Sequence, residues 1–355
     1  MKRIILPLFV YSSTASATDI EYRIQADVWS EPVAVHDFLN DWHGPLQSGK
    51  NAFAHGKVYV LAQEGAWQFG WVYSYDYALN FSQDMAKLYY QMESDHPIDT
   101  NAQYDLFLEA NHIESIAARF AHVWPVNQNW KLTTGVSAVR GMHYVNGEFS
   151  GQGQTGQATQ VLDQVQWLNA SLDYSYDRPT LKEDELGLGD LRAKHGYGYA
   201  FDFRIQGQPH PFWSIDLNIE DALSHIYWEQ APFSRYQLSY DQEQRPRMNL
   251  DGSVSTRKQY KQTLPYKIRS EIEFSPNTPW GVGVTSFTNP FTSLWQMNAY
   301  WHQPKITWGI HVEPQTKAYG LSAEHRYFGL SYMTDQLETN QAHRFLSKIY
   351  AHYTW

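Results

Sequence analysis

Trp67-Gln68-Phe69-Gly70-Trp71-Val72-Tyr73-Ser74-Tyr75-Asp76-Tyr77 places an aromatic ring at every odd position. The positions between are small, polar or acidic, apart from Val72. Successive side chains of a strand point to opposite faces, so this segment has one greasy aromatic row and one wet row. Three more stretches repeat the pattern. Tyr197, Tyr199, Phe201, Phe203 and Ile205 alternate with Asp202, Arg204 and Gln206; Trp213, Ile215, Leu217 and Ile219 with Ser214, Asp216, Asn218 and Glu220; Ile306, Trp308, Ile310 and Val312 with Lys305, Thr307, Gly309 and His311. Turn signals separate such runs at 125–129, 275–279 and 302–305. The count predicts about fourteen strands, within a range of roughly twelve to sixteen.

A soluble sandwich or propeller would bury its apolar face and favour Val, Ile and Leu there. Here 16% of residues are aromatic, with 25 Tyr and 14 Trp, and the opposite faces carry charge. Rings with polar tips suit the two water interfaces of a membrane, and the charges suit a wet lumen better than a dry core. The expected fold is all-β: a transmembrane antiparallel up-and-down barrel. No long apolar run exists to form a membrane helix. A formal charge of −10 argues against nucleic acid as a partner, and the absence of cysteine excludes thiol chemistry and Cys-ligated metals.

Residues 1–17 have the layout of a signal peptide: Lys2 and Arg3, the apolar Ile4–Tyr11, then Ala15-Ser16-Ala17. Residues 18–50, with Trp42, Gly44 and Pro45, read as an N-terminal arm, an inward plug or an irregular first loop. The barrel is expected over 51–355.

The chain closes on Phe345-Leu346-Ser347-Lys348-Ile349-Tyr350-Ala351-His352-Tyr353-Thr354-Trp355. Ile349, Ala351, Tyr353 and Trp355 share one face. This resembles the closing strand of Gram-negative outer-membrane barrels, which ends in an aromatic residue with another two positions earlier. The resemblance implies an outer-membrane location, pairing of the last strand with the first, and the barrel assembly machinery as a partner. Residues 195–287 further resemble the middle of FadL-type barrels: a glycine–aromatic strand, a turn, a long strand, a polar loop, then Leu264-Pro265. Those relatives transport hydrophobic compounds or belong to conjugation and secretion systems, which implies a periplasmic or secretion-system partner. Residues 18–60 carry no Asn-Pro-Ala stretch of the kind that marks the FadL plug.

With Trp355 at the periplasmic end, 335–343 and 242–264 become outer loops, and turns near 324–326, 302–305 and 275–279 lie inside. Lys267, Arg269, Glu271 and Glu273 alternate with Tyr266, Ile268, Ser270, Ile272 and Phe274. Together with Asp202, Arg204, Asp216 and Glu220 they are the lumen-lining candidates, as a conduit or as a self-neutralising ladder of cross-strand pairs. Arg245, Arg247, Arg257, Lys258 and Lys261 form a basic outer-loop cluster suited to lipopolysaccharide phosphates, or an ordinary solvated loop. Outer-membrane lipids are the remaining expected partners.

No catalytic, metal or cofactor site emerges. Gly151–Gly156 matches GxGxxG but lacks the βαβ context a nucleotide site needs, and a flexible outer loop accounts for it better. There is no HExxH, and His112-Ile113-Glu114-Ser115 supplies residue types without the spacing of an activated nucleophile. The sequence therefore points to a channel or an uptake/export accessory with a charged lumen. The alternatives are an outer-membrane lipid-modifying enzyme and a structural or partner-docking barrel.

Overall fold

The computed structural model describes residues 19–40, 42–157, 165–179, 191–241 and 247–354. The leader-like segment 1–17, Arg245 and Trp355 lie outside the described residues. Sixteen strands form one antiparallel sheet. They are β1 (Asp19–Ser30), β2 (Asn51–Glu64), β3 (Trp67–Phe81), β4 (Gln103–Pro125), β5 (Trp130–Thr155), β6 (Val165–Tyr176), β7 (Gly196–His210) and β8 (Trp213–Asp241). There follow β9 (Arg247–Thr263), β10 (Lys267–Phe274), β11 (Trp280–Thr288), β12 (Ser293–His302), β13 (Ile306–Glu313), β14 (Ala318–His325), β15 (Phe328–Thr334) and β16 (Arg344–Thr354).

Fourteen of them close a ring: β1–β5, β7, β8 and β10–β16. The other two extend it outward. β6 continues the line of β7 between β5 and β8, and β9 continues that of β10 along β8. The ring shuts where β16 pairs with β1, from Asp19↔Thr354 to Trp29↔Arg344. The barrel thus starts at Asp19, not at residue 51. Ile20, Tyr22, Ile24, Ala26 and Val28 alternate with Asp19, Glu21, Arg23, Gln25 and Asp27, so β1 obeys the same rule as the later strands.

The outward face confirms the membrane setting physically. An aliphatic band of exposed Ile24, Val136, Val284, Ile310, Leu321, Leu330 and Ile349 circles the ring. At the end carrying the short turns it is flanked by Trp67, Trp124, Trp213, Trp280, Trp301 and Trp308, all exposed. Trp280 stacks on Trp301 at 5.7 Å and Trp67 on Phe120 at 4.9 Å. Tyr197, Tyr319 and Tyr332 hold the other rim. An apolar band between two aromatic girdles is the outside of a lipid-embedded barrel. Trp71, 59% exposed, lies between the girdles, whereas the register pairs Ser74 with Lys57 on the inner face. Trp71→Arg should therefore cost about 2–4 kcal/mol in urea-unfolding measurements, and Ser74→Arg much less. Equal losses would reject the facing.

Residues 31–50 neither plug the lumen nor form a periplasmic arm. They connect β1 to β2 at the long-loop end and lie against the outward face of β2–β4. A short helix α1 (Val35–Leu39) brings Phe38 to Tyr77 at 6.4 Å, and Trp42 packs on Tyr89 at 4.9 Å. Tyr89 belongs to helix α2 (Gln83–Glu93), which is capped by Ser82 Oγ accepting from Met85 N–H. Val33, Trp42, Ala52, Leu79, Phe81 and Ala86 form one buried cluster there. These outward rings above the membrane would otherwise meet water, and the loop covers them.

Most of the expected loop 242–264 is strand: 242–246 lie outside the described residues, and 247–263 form β9, paired from Asp241↔Arg247 to His225↔Thr263. Gly151 and Gly153 also lie within strand β5, not in a loop.

The seam yields a test of assembly. Ile349, Ala351 and Tyr353 pair with Ile24, Tyr22 and Ile20 on the outward face. Deleting 353–355 should leave the protein in the periplasm, open to added protease. Normal insertion of the truncated chain would count against the assigned assembly signal.

Candidate functional site: the barrel interior

Inward positions follow from register. Thr133 opposite Arg204, Gly135 opposite Asp202 and Lys267 opposite Glu220 place β5, β7, β8 and β10 charges on one inner surface. Half the barrel, from the short turns to mid-height, encloses a cavity of about 640 Å³. Asp202, Arg204, Asp216, Glu220, Arg269, Glu271 and Glu273 all line it. Lys267 sits just above, beside a second void of about 20 Å³, room for about one water.

Nearly all these charges are already matched. The Arg204 guanidinium grips Asp216 at 2.5–3.1 Å, and Arg119 Nε donates to Asp202 at 3.1 Å. Tyr300 donates to Glu271 at 2.6 Å, and His302 lies 2.9 Å from Glu273. Above the cavity two dense networks cross the lumen. In one, Lys57 reaches Glu220 (2.6 Å) and Asp221 (3.1 Å), while Lys267 reaches Asp221 and Asp76 (both 2.9 Å). His55 joins Asp76 at 2.7 Å and Asn289 at 3.1 Å. In the other, Arg344 holds Asp27 at 2.5 Å and Glu313 at 2.7 Å, and Arg269 meets Asp27 from the cavity side at 2.9 Å. Arg344 and Asp27 are each 1% exposed. Charges this dry persist only when closely paired.

A second layer above them is aromatic. Trp228 stacks on Tyr144 at 4.2 Å, and Tyr144 on Tyr260 at 5.6 Å. Trp228 Nε1 donates to Gln262, whose amide reaches Asn111 and the His112 carbonyl across the barrel. The large indole fits because Gly141 and Gly196 face it; a Cβ there would come within 2.5 Å of the ring or of Ile226. Asp221, Leu223 and Gln230 take positive φ of 58°, 52° and 52°, and two register shifts in the β7–β8 pairing bracket the first two. The first bulge turns Asp221 inside, and the second restores the phase of β8, so Trp228 points inward with the other even residues. The interior is thus a cup: open by the short turns, closed toward the long loops by ion pairs and then rings.

The wall itself has a gap. β5 pairs with β7 up to Gly141 and with β6 from Val145, so among the described residues Met142–Tyr144 have no strand on the side away from β4. Residues 177–179 and 191–195 bridge this place, with Asp177 accepting from Tyr144 N–H at 3.1 Å and lying 2.5 Å from His143. Met142, Arg178, Leu191, Lys194, His195 and Trp228 surround a hollow of about 450 Å³ there.

No family model and no curated protein matches the chain. Several solved barrels resemble it in shape. The Pseudomonas putida toluene transporter TodX aligns over 94% of this chain and 88% of its own, at 9% identity and a TM-score of 0.44. The Ralstonia pickettii toluene transporter TbuX aligns over 95% and 88%, at 9% identity and a TM-score of 0.38. A Pseudomonas aeruginosa FadL homologue aligns over 94% and 86%, at 9% identity and a TM-score of 0.27. The closed ring, with its apolar band between aromatic girdles, makes the chain a membrane-spanning β-barrel.

The remaining sequence candidates separate. Arg257 of the outer basic group pairs with Asp173 at 3.6 Å and lies 4.5 Å over the Phe233 ring, so it is engaged within the sheet. Lys258 and Lys261 are exposed. His112 and Glu114 share the outward face with Tyr73, whose hydroxyl donates to Glu114 at 2.6 Å, while Ser115 lies on the inner face and is 3% exposed. That puts the hydroxyl on the wrong side of the wall for a nucleophile–base pair. Among the described residues no group of three His, Asp or Glu side chains is placed to hold a metal.

Sequence reading put Asp76 on the wet row but missed Lys57, Asp27 and Arg344. All three occupy inward positions of alternating strands, so the signal was present. Asp221 was not findable by parity, because the bulge shifts the phase of β8.

Proposed function

We propose that this barrel is a gated outer-membrane channel for small polar or charged solutes, with the cup as its periplasmic vestibule and the two layers above as its gate. The observation that carries the reading is the cavity of about 640 Å³ lined by paired carboxylates, guanidinium groups and amides. Such a lining offers exchangeable partners to a charged solute, and its apolar members Leu61, Val123, Phe203 and Leu346 are interspersed with charged and amide side chains. The gate is made of contacts between side chains of β1–β5, β8–β10, β13 and β16, so modest strand movement would part them.

Single-channel recording in planar bilayers tests this. The wild type should rest closed with brief openings, and Glu271→Lys combined with Glu273→Lys should shift open-state selectivity toward anions. A second reading, a docking barrel that conducts nothing, draws support from the dryness of the gate. Silence from both the wild type and a gate-stripped variant would favour it.

The cup's orientation has its own check. The chain has no cysteine, so Gln296→Cys and Ser331→Cys, both in the cavity lining, can be probed alone. A membrane-impermeant thiol reagent should label them quickly from the periplasmic side and slowly on intact cells. Equal rates would mean the gate stands open.

A further inference from the structure

Among the described strands, β9 alone has a single neighbour. Its lower end tucks into the lumen through Tyr260 and Gln262, but from Met248 to Thr263 one side of its backbone has no strand partner among the described residues. Met248–Ser253 are exposed without exception, Met248 and Leu250 at 67% and 60%. An open edge of this length is a template for another chain, and soluble proteins normally blunt or cover it. Here it stands at the outer end of the barrel.

The charge along it is selective. Arg247–Thr263 carries Arg247, Arg257, Lys258 and Lys261 against the single acid Asp251, on a chain whose overall formal charge is −10. Edge lysines discourage pairing with neutral strands, and two copies of this edge would set like charges opposite each other. An acidic strand meets neither penalty. We propose that the free edge of β9 is a docking site for an extended, acidic segment of a partner protein, added as a further strand. Main-chain hydrogen bonds would supply affinity, and Lys258 and Lys261, on opposite faces of β9, would select carboxylates on both faces of the added strand. The site is independent of whether the lumen conducts.

The test uses the full-length barrel in lipid nanodiscs and a short fluorescent peptide of repeated Glu-Glu-Val-Thr, which carries Glu on both faces when extended. An analogue N-methylated at alternate residues keeps the charge and loses the donors. The parent peptide should bind in an anisotropy titration and the analogue should not. The double variant K258E/K261E, exposed at both positions and so expected to fold, should weaken binding about tenfold. Correct folding is verified by heat-modifiable migration. Equal binding of the analogue, or an unchanged affinity of the double variant, overturns the proposal. So does a barrel that ignores the peptide but captures lipopolysaccharide micelles through the same lysines, which would assign the strip to lipid phosphates.

Discussion

Arg344→Met should destabilise the folded barrel by about 3–5 kcal/mol, the cost of leaving buried carboxylates without their counter-charge. Arg344 is 1% exposed and is shared by Asp27 and Glu313, which are 1% and 3% exposed. Glu313 would retain only the Thr316 hydroxyl at 2.7 Å, and Asp27 only Arg269. Because Arg344 opens β16 and Asp27 lies on β1, the lost pair bridges the barrel seam. Urea unfolding in lipid vesicles would measure the loss. Adding Asp27→Asn and Glu313→Gln to Arg344→Met should recover most of it, because neutral amides tolerate burial far better than unpaired carboxylates. If the single and triple variants are equally unstable, lost packing rather than stranded charge explains the effect.

Trp228→Ala combined with Tyr144→Ala should convert a closed barrel into one with frequent, long openings. Each side chain is 0% exposed, and together they form the stacked centre of the outer gate layer. Removing an indole or a phenol from a packed core costs about 3–5 kcal/mol. The ring strands lose no ladder hydrogen bond, so the barrel itself should persist. The ion-pair layer below would then be the sole barrier, and water entering from above would weaken those pairs by raising the local dielectric. Single-channel recording distinguishes outcomes. A folded double variant as silent as the wild type would show that the rings are not part of a gate.

How much of this could be read beforehand follows from what makes a strand audible. Trp67–Tyr77 and Ile349–Thr354 sit between lipid and a wet interior, so each side chain reports its face and the period survives. β9 is exposed on both sides above the membrane, imposes no alternation, and reads as a loop. β1 alternates as cleanly as any strand; it was obscured only by following a leader-like segment. A bulge at Asp221 breaks the phase of β8 locally, so parity could not place Asp221 in the lumen, whereas the second bulge at Leu223 restores it and Trp228 falls on the even, inward row. The charges of β10 were legible as inward, but their partners Asp27, Asp76 and Asp221 come from β1, β3 and β8. No local pattern links residues separated by most of the chain.

The pairing of β1 with β16 also dictates an order of events in time. Asp19 finds Thr354 at the far end of the chain, so this ladder requires the largest loop closure in the molecule and is entropically the last to form. Until then β1 and β16 each present a bare edge, and the carboxylate of Asp27 waits for a guanidinium that arrives with the final strand. An incomplete ring cannot rest in hydrocarbon, where every unpaired amide is penalised. Delivery of the β16 edge to β1 is therefore the committing step, and any delay there should surface as sensitivity to periplasmic proteases.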